Sequence, residues 1–284
     1  MHKPHLISIA AALASLAAFT HTAPAADTKN VTVVLVHGAF AESSSWDGII
    51  PKLAAKGYKV VAAANPLRSL KTDAAFVGDV IGSIDGPVVL VGHSYGGSVI
   101  TNAANGHPNV KALVYIDGFA PEPGESAATL SAQFPGSTLA PALAPPVPLA
   151  GGAKDLYIDG QKFRAQFAAD VAEPAAKLMF VTQRPVTEAA LNEPAGEASW
   201  KTIPSWFIYG SLDKNIPPAA HAFMAKRANA KETVEIKGGS HVVMISHPDK
   251  VAEMIERAAQ STAAPQSAST DGGAKQIAAQ PAQR

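Results

Sequence analysis

Pro87-Val88-Val89-Leu90-Val91 runs without a break into Gly92-His93-Ser94-Tyr95-Gly96, and the small residues of Gly96 to Asn105 follow at helical spacing. A short β-branched run of this kind fits a strand buried on both faces of a parallel sheet. Gly-x-Ser-x-Gly between such a strand and a helix describes a tight turn with no room for side chains at the flanking positions. The turn lifts the Ser94 hydroxyl above the sheet, while the following helix directs its first N–H groups toward negative charge developing beside that hydroxyl. Glycine-rich turns with an incidental serine share the bare pattern, so the flanking strand and helix carry the weight. Ser94 is the candidate nucleophile.

The same alternation extends in both directions. Val31 to Val36 and Tyr58 to Ala63 read as strands, with helices over Trp46 to Lys56 and Asp73 to Ile84, and Val110 to Ile116 is the strand after the Ser94 turn. This is a repeated β-α-β rhythm and predicts an α/β fold whose central sheet is mostly parallel and flanked by helices. From Gly118 to about Trp200 prolines recur and only helical patches stand out, near Ala153 to Val171 and Ala175 to Arg184. No strand is evident there, so an inserted, mainly helical cap over about 118–200 is expected. Ser205 to Tyr209, a helix near Ala219 to Ala228, the strand Thr233 to Lys237 and a helix from Pro248 to Ala259 then complete the sheet.

A serine nucleophile needs a base, an acid that orients the base, and donors for the oxyanion. His241 follows Gly238-Gly239-Ser240 at the end of the last strand, where a flexible loop can bring an imidazole to Ser94. His247 stands before Pro248 and suits a capping or surface role. Asp213 follows the strand ending at Tyr209 and is the favoured acid. Asp117 is its rival at the end of an earlier strand, or else caps the start of the cap region. The N–H groups of Ala39 and Tyr95 are the expected oxyanion donors, the first from His37-Gly38-Ala39-Phe40, where Gly38 permits close approach to a substrate. His37, in that tight turn, is read as making a structural hydrogen bond. Phe40 and Phe119 are expected at the substrate pocket. Phe134, Tyr157, Phe163, Phe167 and Phe180 either line it or hold the cap to the core.

Four segments together resemble one branch of the α/β-hydrolase superfamily: Val-His-Gly-Ala at 36–39, Gly-His-Ser-Tyr-Gly at 92–96, Asp-Lys-Asn-Ile-Pro at 213–217 and Lys-Gly-Gly-Ser-His at 237–241. It is the branch of plant methyl-ester esterases, the related hydroxynitrile lyases and many bacterial hydrolases. The similarity runs from about Val31 to Ala258 and is weakest in the cap. It implies an α/β-hydrolase fold, the triad order Ser94, Asp213, His241, and cleavage of ester bonds without metal or organic cofactor. The lyases of the branch carry Thr where this chain has Gly38 and Lys where it has Val242, and the dehalogenase relatives use Asp where it has Ser94. Ester hydrolysis is therefore what the resemblance implies. A perhydrolase or haloperoxidase would use the same triad, and a receptor built on the pocket would have no need of it.

Composition agrees with a small-molecule enzyme. Lysine and arginine equal aspartate and glutamate at 23 each, so no overall field draws the chain to nucleic acid or an anionic membrane. The absence of cysteine excludes disulfides, thiolate metal sites and a Cys nucleophile. His2, Lys3 and His5 precede the apolar run Leu6 to Phe19 and the small residues Ala23-Pro24-Ala25. That pattern predicts a signal peptide over 1–25, export to a periplasm or the medium, and no stable membrane insertion after cleavage, the alternative being an uncleaved anchor. The catalytic domain is expected over 26–260. The Ala, Ser, Gln, Gly and Pro mixture of 261–284 reads as a disordered tail.

Overall fold

A computed structural model describes residues 30–262. The leader expected over 1–25 and all but the first two residues of the tail expected over 261–284 lie outside the described residues. Strand and helix alternate through β1 (Thr32–Val36), α1 (Ile50–Ala55), β2 (Lys59–Ala63), α2 (Leu70–Gly82), β3 (Val88–His93), α3 (Tyr95–Ala103) and β4 (Val110–Ile116). The chain then leaves the sheet for α4 (Ala127–Ala132), α5 (Leu139–Ala142), β5 (Val147–Pro148), β6 (Lys154–Leu156), α6 (Phe163–Phe167), α7 (Glu173–Val181), β7 (Val186–Thr187) and α8 (Glu188–Asn192). It returns through β8 (Ser205–Gly210), α9 (Pro218–Arg227), β9 (Glu232–Ile236), α10 (Val243–Ser246) and α11 (Pro248–Gln260).

The main sheet has the order β2-β1-β3-β4-β8-β9 with every pair parallel. Its inner strands are buried from end to end, except for Lys111, whereas the edge strand β9 alternates between more and less exposed residues. That contrast is why the inner strands read as unbroken apolar runs. Val33, Leu35, Val89, Leu90 and Leu113 are wholly inaccessible, and burying one such side chain contributes about 1.5–3 kcal/mol. Helix α11 closes the sheet with Val251, Met254, Ile255 and Ala258, an i, i+3, i+4, i+7 stripe. Helix α2 starts at Ser69, whose hydroxyl accepts the Thr72 N–H.

Right-handed crossovers put α1 on one face and α2 and α3 on the other, because the path from β1 to β2 runs opposite to that from β3 to β4. The carboxyl ends of the adjacent strands β1 and β3 therefore place His37–Phe40 and Gly92–Tyr95 side by side at the switch point of the sheet.

The excursion between β4 and β8 corrects the expectation of a strandless cap. Its helices are as expected in kind, but β5, β6 and β7 form a small antiparallel sheet, and the helical patch expected over Ala153 to Val171 holds β6 and only the five residues of α6. Strands of two or three residues are too short to show a period of two. Among the described residues no helix is long and apolar enough to cross a membrane.

Candidate active site

Ser94 stands between the last residue of β3 and the first of α3 with φ 52° and ψ −124°. A non-glycine residue in that region carries about 1–3 kcal/mol of strain, so the surroundings must hold it. They do so through three backbone bonds: Ser94 N–H to Ile116 C=O at 3.2 Å, and Gly97 and Phe119 N–H to Ser94 C=O at 2.9 and 3.1 Å. Gly96 lets α3 lie against β1, since a Cβ there would stand 2.4 Å from the Val36 carbonyl oxygen. Gly38 meets the same turn from the other side: a Cβ on it would reach 2.6 Å from Ser94 Cβ. Its lack of a side chain thus serves close approach to the nucleophile turn.

The loop after β9 brings His241 over this turn. Ser94 Oγ lies 2.8 Å from His241 Nε2, and His241 Nδ1 lies 2.7 Å from Asp213 Oδ2, so Nδ1–H donates to the carboxylate and Nε2 is left to accept from the hydroxyl. All three residues are buried, Ser94 being 6% exposed. His93 adds a support of its own, its Nε2 2.9 Å from the His241 carbonyl oxygen. Burial first, and then the neighbouring His241, holds the His93 pKa well below the usual histidine value, so it acts as a neutral donor. From the cap, Phe167 packs edge-on against the His241 ring at 5.2 Å.

Asp213 sits in the turn after β8. Its Oδ1 accepts the N–H groups of Asn215 and Ile216 at 2.8 and 3.0 Å. Burial by itself would raise its pKa, but the charge of His241 and hydrogen bonds from His221 and His241 outweigh burial and hold it below the usual carboxylate range. The rival acid behaves differently. Asp117 accepts the Gly210 N–H on Oδ1 and the Val243 N–H on Oδ2. It therefore ties β8 to α10 and does not cap the start of the cap region. Burial and the adjacent Asp213 charge push its pKa well above the usual range, as expected when two buried carboxylates compete for one proton.

Ala39, Phe40, Tyr95 and Phe119 all border one cavity of about 420 Å³ together with Ser94 and His241. Tyr95 turns its hydroxyl away to Asp73 Oδ2 at 2.9 Å, which leaves its backbone at the cavity. His37 Nδ1 meets the Gly38 carbonyl oxygen at 3.0 Å, and burial lowers its pKa to about 4. His247 is half-buried beside Ser246 and Asp170 and does not border the cavity. Of the other candidate aromatics only Phe167 lines the cavity. Phe134 packs on Phe223, and Phe163 on Phe167 and Phe180.

The rest of the lining comes from residues that sequence reading did not single out. Ala127, Ala128, Ala132, Leu139, Leu143 and Leu191 form apolar walls; Ser131, Ser137, Glu188 and Asn215 are among the polar points. All of these but Asn215, in the turn after β8, lie on short cap elements and loops whose packing no local period reveals. A second missed residue is His221, bonded to Asp213 and buried. Asp117, Asp213 and His221 bring potential metal-ligand atoms within 4.8 Å of one another, but the carboxylate oxygens already accept N–H groups. The cluster is a hydrogen-bond network.

The arrangement can deprotonate a hydroxyl as it attacks a carbonyl in a mostly apolar chamber. The chain also resembles known proteins. The model of the alpha/beta hydrolase family matches residues 33–254. A pyrethroid hydrolase of Sphingobium wenxiniae is 27% identical over 85% of this chain and 92% of its own length. An alpha-hydroxynitrile lyase of Arabidopsis thaliana is 25% identical over 78% of this chain and 94% of its own. The crystal structure of polyneuridine aldehyde esterase superposes with a TM-score of 0.69 over 80% of this chain and 98% of that one; at 19% identity the likeness is one of fold.

Proposed function

The chain belongs to the alpha/beta hydrolase family, and from that premise we propose that it is a serine esterase acting on small, largely uncharged carboxylic esters. The observation that carries this reading is the continuous line from Ser94 Oγ to His241 Nε2 and from His241 Nδ1 to Asp213 Oδ2, at 2.8 and 2.7 Å, with Ser94 and His241 bordering a mostly apolar cavity. His241 takes the Ser94 proton as the hydroxyl oxygen attacks the ester carbonyl. The Ala39 and Tyr95 N–H groups hold the oxyanion. Collapse expels the alcohol, which takes its proton from His241, and water then releases the acid by the same steps in reverse.

The apolar walls favour uncharged acyl and alcohol groups, and the pyrethroid hydrolase among the relatives is consistent with ester chemistry. Kinship with a hydroxynitrile lyase does not redirect the proposal. Val242, directly after the base, is wholly buried and uncharged, and Gly38 has no hydroxyl to offer a cyanohydrin.

A serine-directed phosphonate tests the reading, because it imitates the tetrahedral intermediate and needs the same donors. We expect one covalent adduct, mapped by mass spectrometry to Ser94, and losses of ester turnover of about 10⁴-fold or more in Ser94→Ala and His241→Ala that do not add in the double variant. A label on another serine, or a Ser94→Ala protein that keeps most of its turnover, rules the proposal out. Running p-nitrophenyl ester cleavage beside peroxide-dependent halogenation separates an esterase from a perhydrolase with the same triad.

A further inference from the structure

One buried imidazole beside the site has no part in the steps above. His221 lies near the start of α9 and is 1% exposed. Its Nε2 is 3.0 Å from Asp213 Oδ2, the same oxygen that His241 Nδ1 meets at 2.7 Å. Both nitrogens must carry a proton, because a carboxylate oxygen can only accept. With the Asn215 and Ile216 N–H groups on Oδ1, four donors surround the carboxylate and leave it one orientation. The His221 ring is fixed in turn by stacking on Tyr209, centroids 4.8 Å apart and planes 14° from parallel. Its Nδ1 is buried with no hydrogen-bond partner among the described residues, so the bond to Asp213 is the ring's one polar tie.

The geometry points to His221 as a positioning residue for ester cleavage: it donates from Nε2 to the Asp213 oxygen that anchors His241, holding that oxygen in place and moderating its basicity. This role rests on the serine-esterase reading. The ionisable groups that face the pair are Asp117 from the end of β4, His241 and the adjacent His93 ring at 5.0 Å, and Tyr209 of β8, whose hydroxyl is bonded to Glu235 of β9. Of the two imidazoles on Asp213, only His221 is free of proton exchange with Ser94. Without it the carboxylate becomes more basic and stabilises the His241 imidazolium more strongly. The acid limb of the rate profile then moves upward. The anchoring oxygen also gains freedom, so turnover falls while substrate binding in the cavity is unaffected.

The test compares wild type, His221→Leu, His221→Gln and Ser94→Ala in p-nitrophenyl butanoate hydrolysis across pH, with a thermal melt of each. A glutamine amide nitrogen lies as many bonds from Cβ as His Nε2 and can donate from the same place. His221→Leu should lose about 10- to 100-fold in kcat with little change in KM, as for loss of a partner that orients a reacting group. Its acid limb should rise by about half a pH unit or more, and His221→Gln should recover most of both effects. Wild-type kcat and pH profile in His221→Leu overturn the proposal, as does a loss with an unmoved acid limb and no recovery in His221→Gln. An inactive Ser94→Ala beside a normal His221→Leu refutes this role alone, whereas an active Ser94→Ala refutes the esterase reading itself. If His221→Leu does not fold, NMR of the wild-type ring nitrogens decides. A proton on His221 Nε2 supports the role, and a proton on Nδ1 with Nε2 bare overturns it.

Discussion

Two carboxylates lie buried side by side behind Ser94, and only one of them touches the imidazole. Asp213 reaches His241 Nδ1, whereas both Asp117 oxygens are occupied by the Gly210 and Val243 N–H groups. The two should therefore fail differently. Asp213→Asn is expected to fold and to lose about 10⁴-fold in kcat, since an amide stabilises the wrong imidazole tautomer. Asp117→Asn sets an amide N–H₂ against one of two backbone donors, and is expected to lower the melting temperature while leaving kcat within about tenfold, the unsatisfied donor costing about 1–3 kcal/mol. Steady-state kinetics and a melt of both variants check this, and the reverse pattern would move the acid to Asp117. At this scale the sequence was legible where a residue stands in the turn or loop that leaves a strand, as Ser94, Asp213 and His241 do. His221 was not, because seven residues of turn and helix separate it from Asp213 and only the packing of α9 under β8 brings them together. The small cap residues of the cavity wall were hidden for the same reason.

Elements obey a different logic, because an inner strand of a parallel sheet announces itself by unbroken β-branched residues and an amphipathic helix by its stripe. β1, β3, β4 and β8 were legible to within about two residues, and so was α11. The three cap strands were not, being two or three residues long and carrying Pro148 in one of them. What the reading of glycines at the Ser94 turn could not supply is the direction of contact, which the structure makes specific. A methyl group at Gly96 would press on the Val36 carbonyl oxygen at 2.4 Å, backbone against backbone, whereas one at Gly82, near the end of α2, would meet His107 at an ordinary 3.7 Å. Gly96→Ala should therefore cost about 3 kcal/mol or more by forcing α3 off β1, and should slow phosphonate labelling of Ser94 in whatever protein remains folded. Gly82→Ala should be neutral or stabilise by up to about 1 kcal/mol through helix propensity. Equal stabilities for the two in urea unfolding would mean that α3 is not clamped against β1 at this point.

The whole molecule carries as many positive as negative side chains, so its stability against pH is governed by a few buried groups more than by net charge. His37 is one that can be isolated. Burial, only partly offset by its bond to the Gly38 carbonyl, lowers its pKa from 6.5 to about 4. In the unfolded chain His37 binds a proton below about 6.5, whereas in the folded protein it stays neutral down to about 4. Folding thus excludes a proton across that window, and stability must fall as pH drops through it. At about 1.4 kcal/mol per unit the loss comes to about 3 kcal/mol. Below pH 4 both states are protonated at this position and the loss stops growing. Asp117 acts with the opposite sign, because its raised pKa lets the folded state keep a proton that the unfolded chain has released, and its contribution is lost as pH rises. A single stability curve therefore mixes the two. Their separation comes from comparing wild type with His37→Gln, which retains Asp117 and removes only the imidazole. Urea unfolding at intervals from pH 7 to pH 4 should show the wild type losing about 3 kcal/mol relative to the variant, with most of the divergence below pH 6.5. Two curves that stay parallel over the whole range would mean that His37 titrates alike in the folded and unfolded chains, and that the turn after β1 is open to protonation.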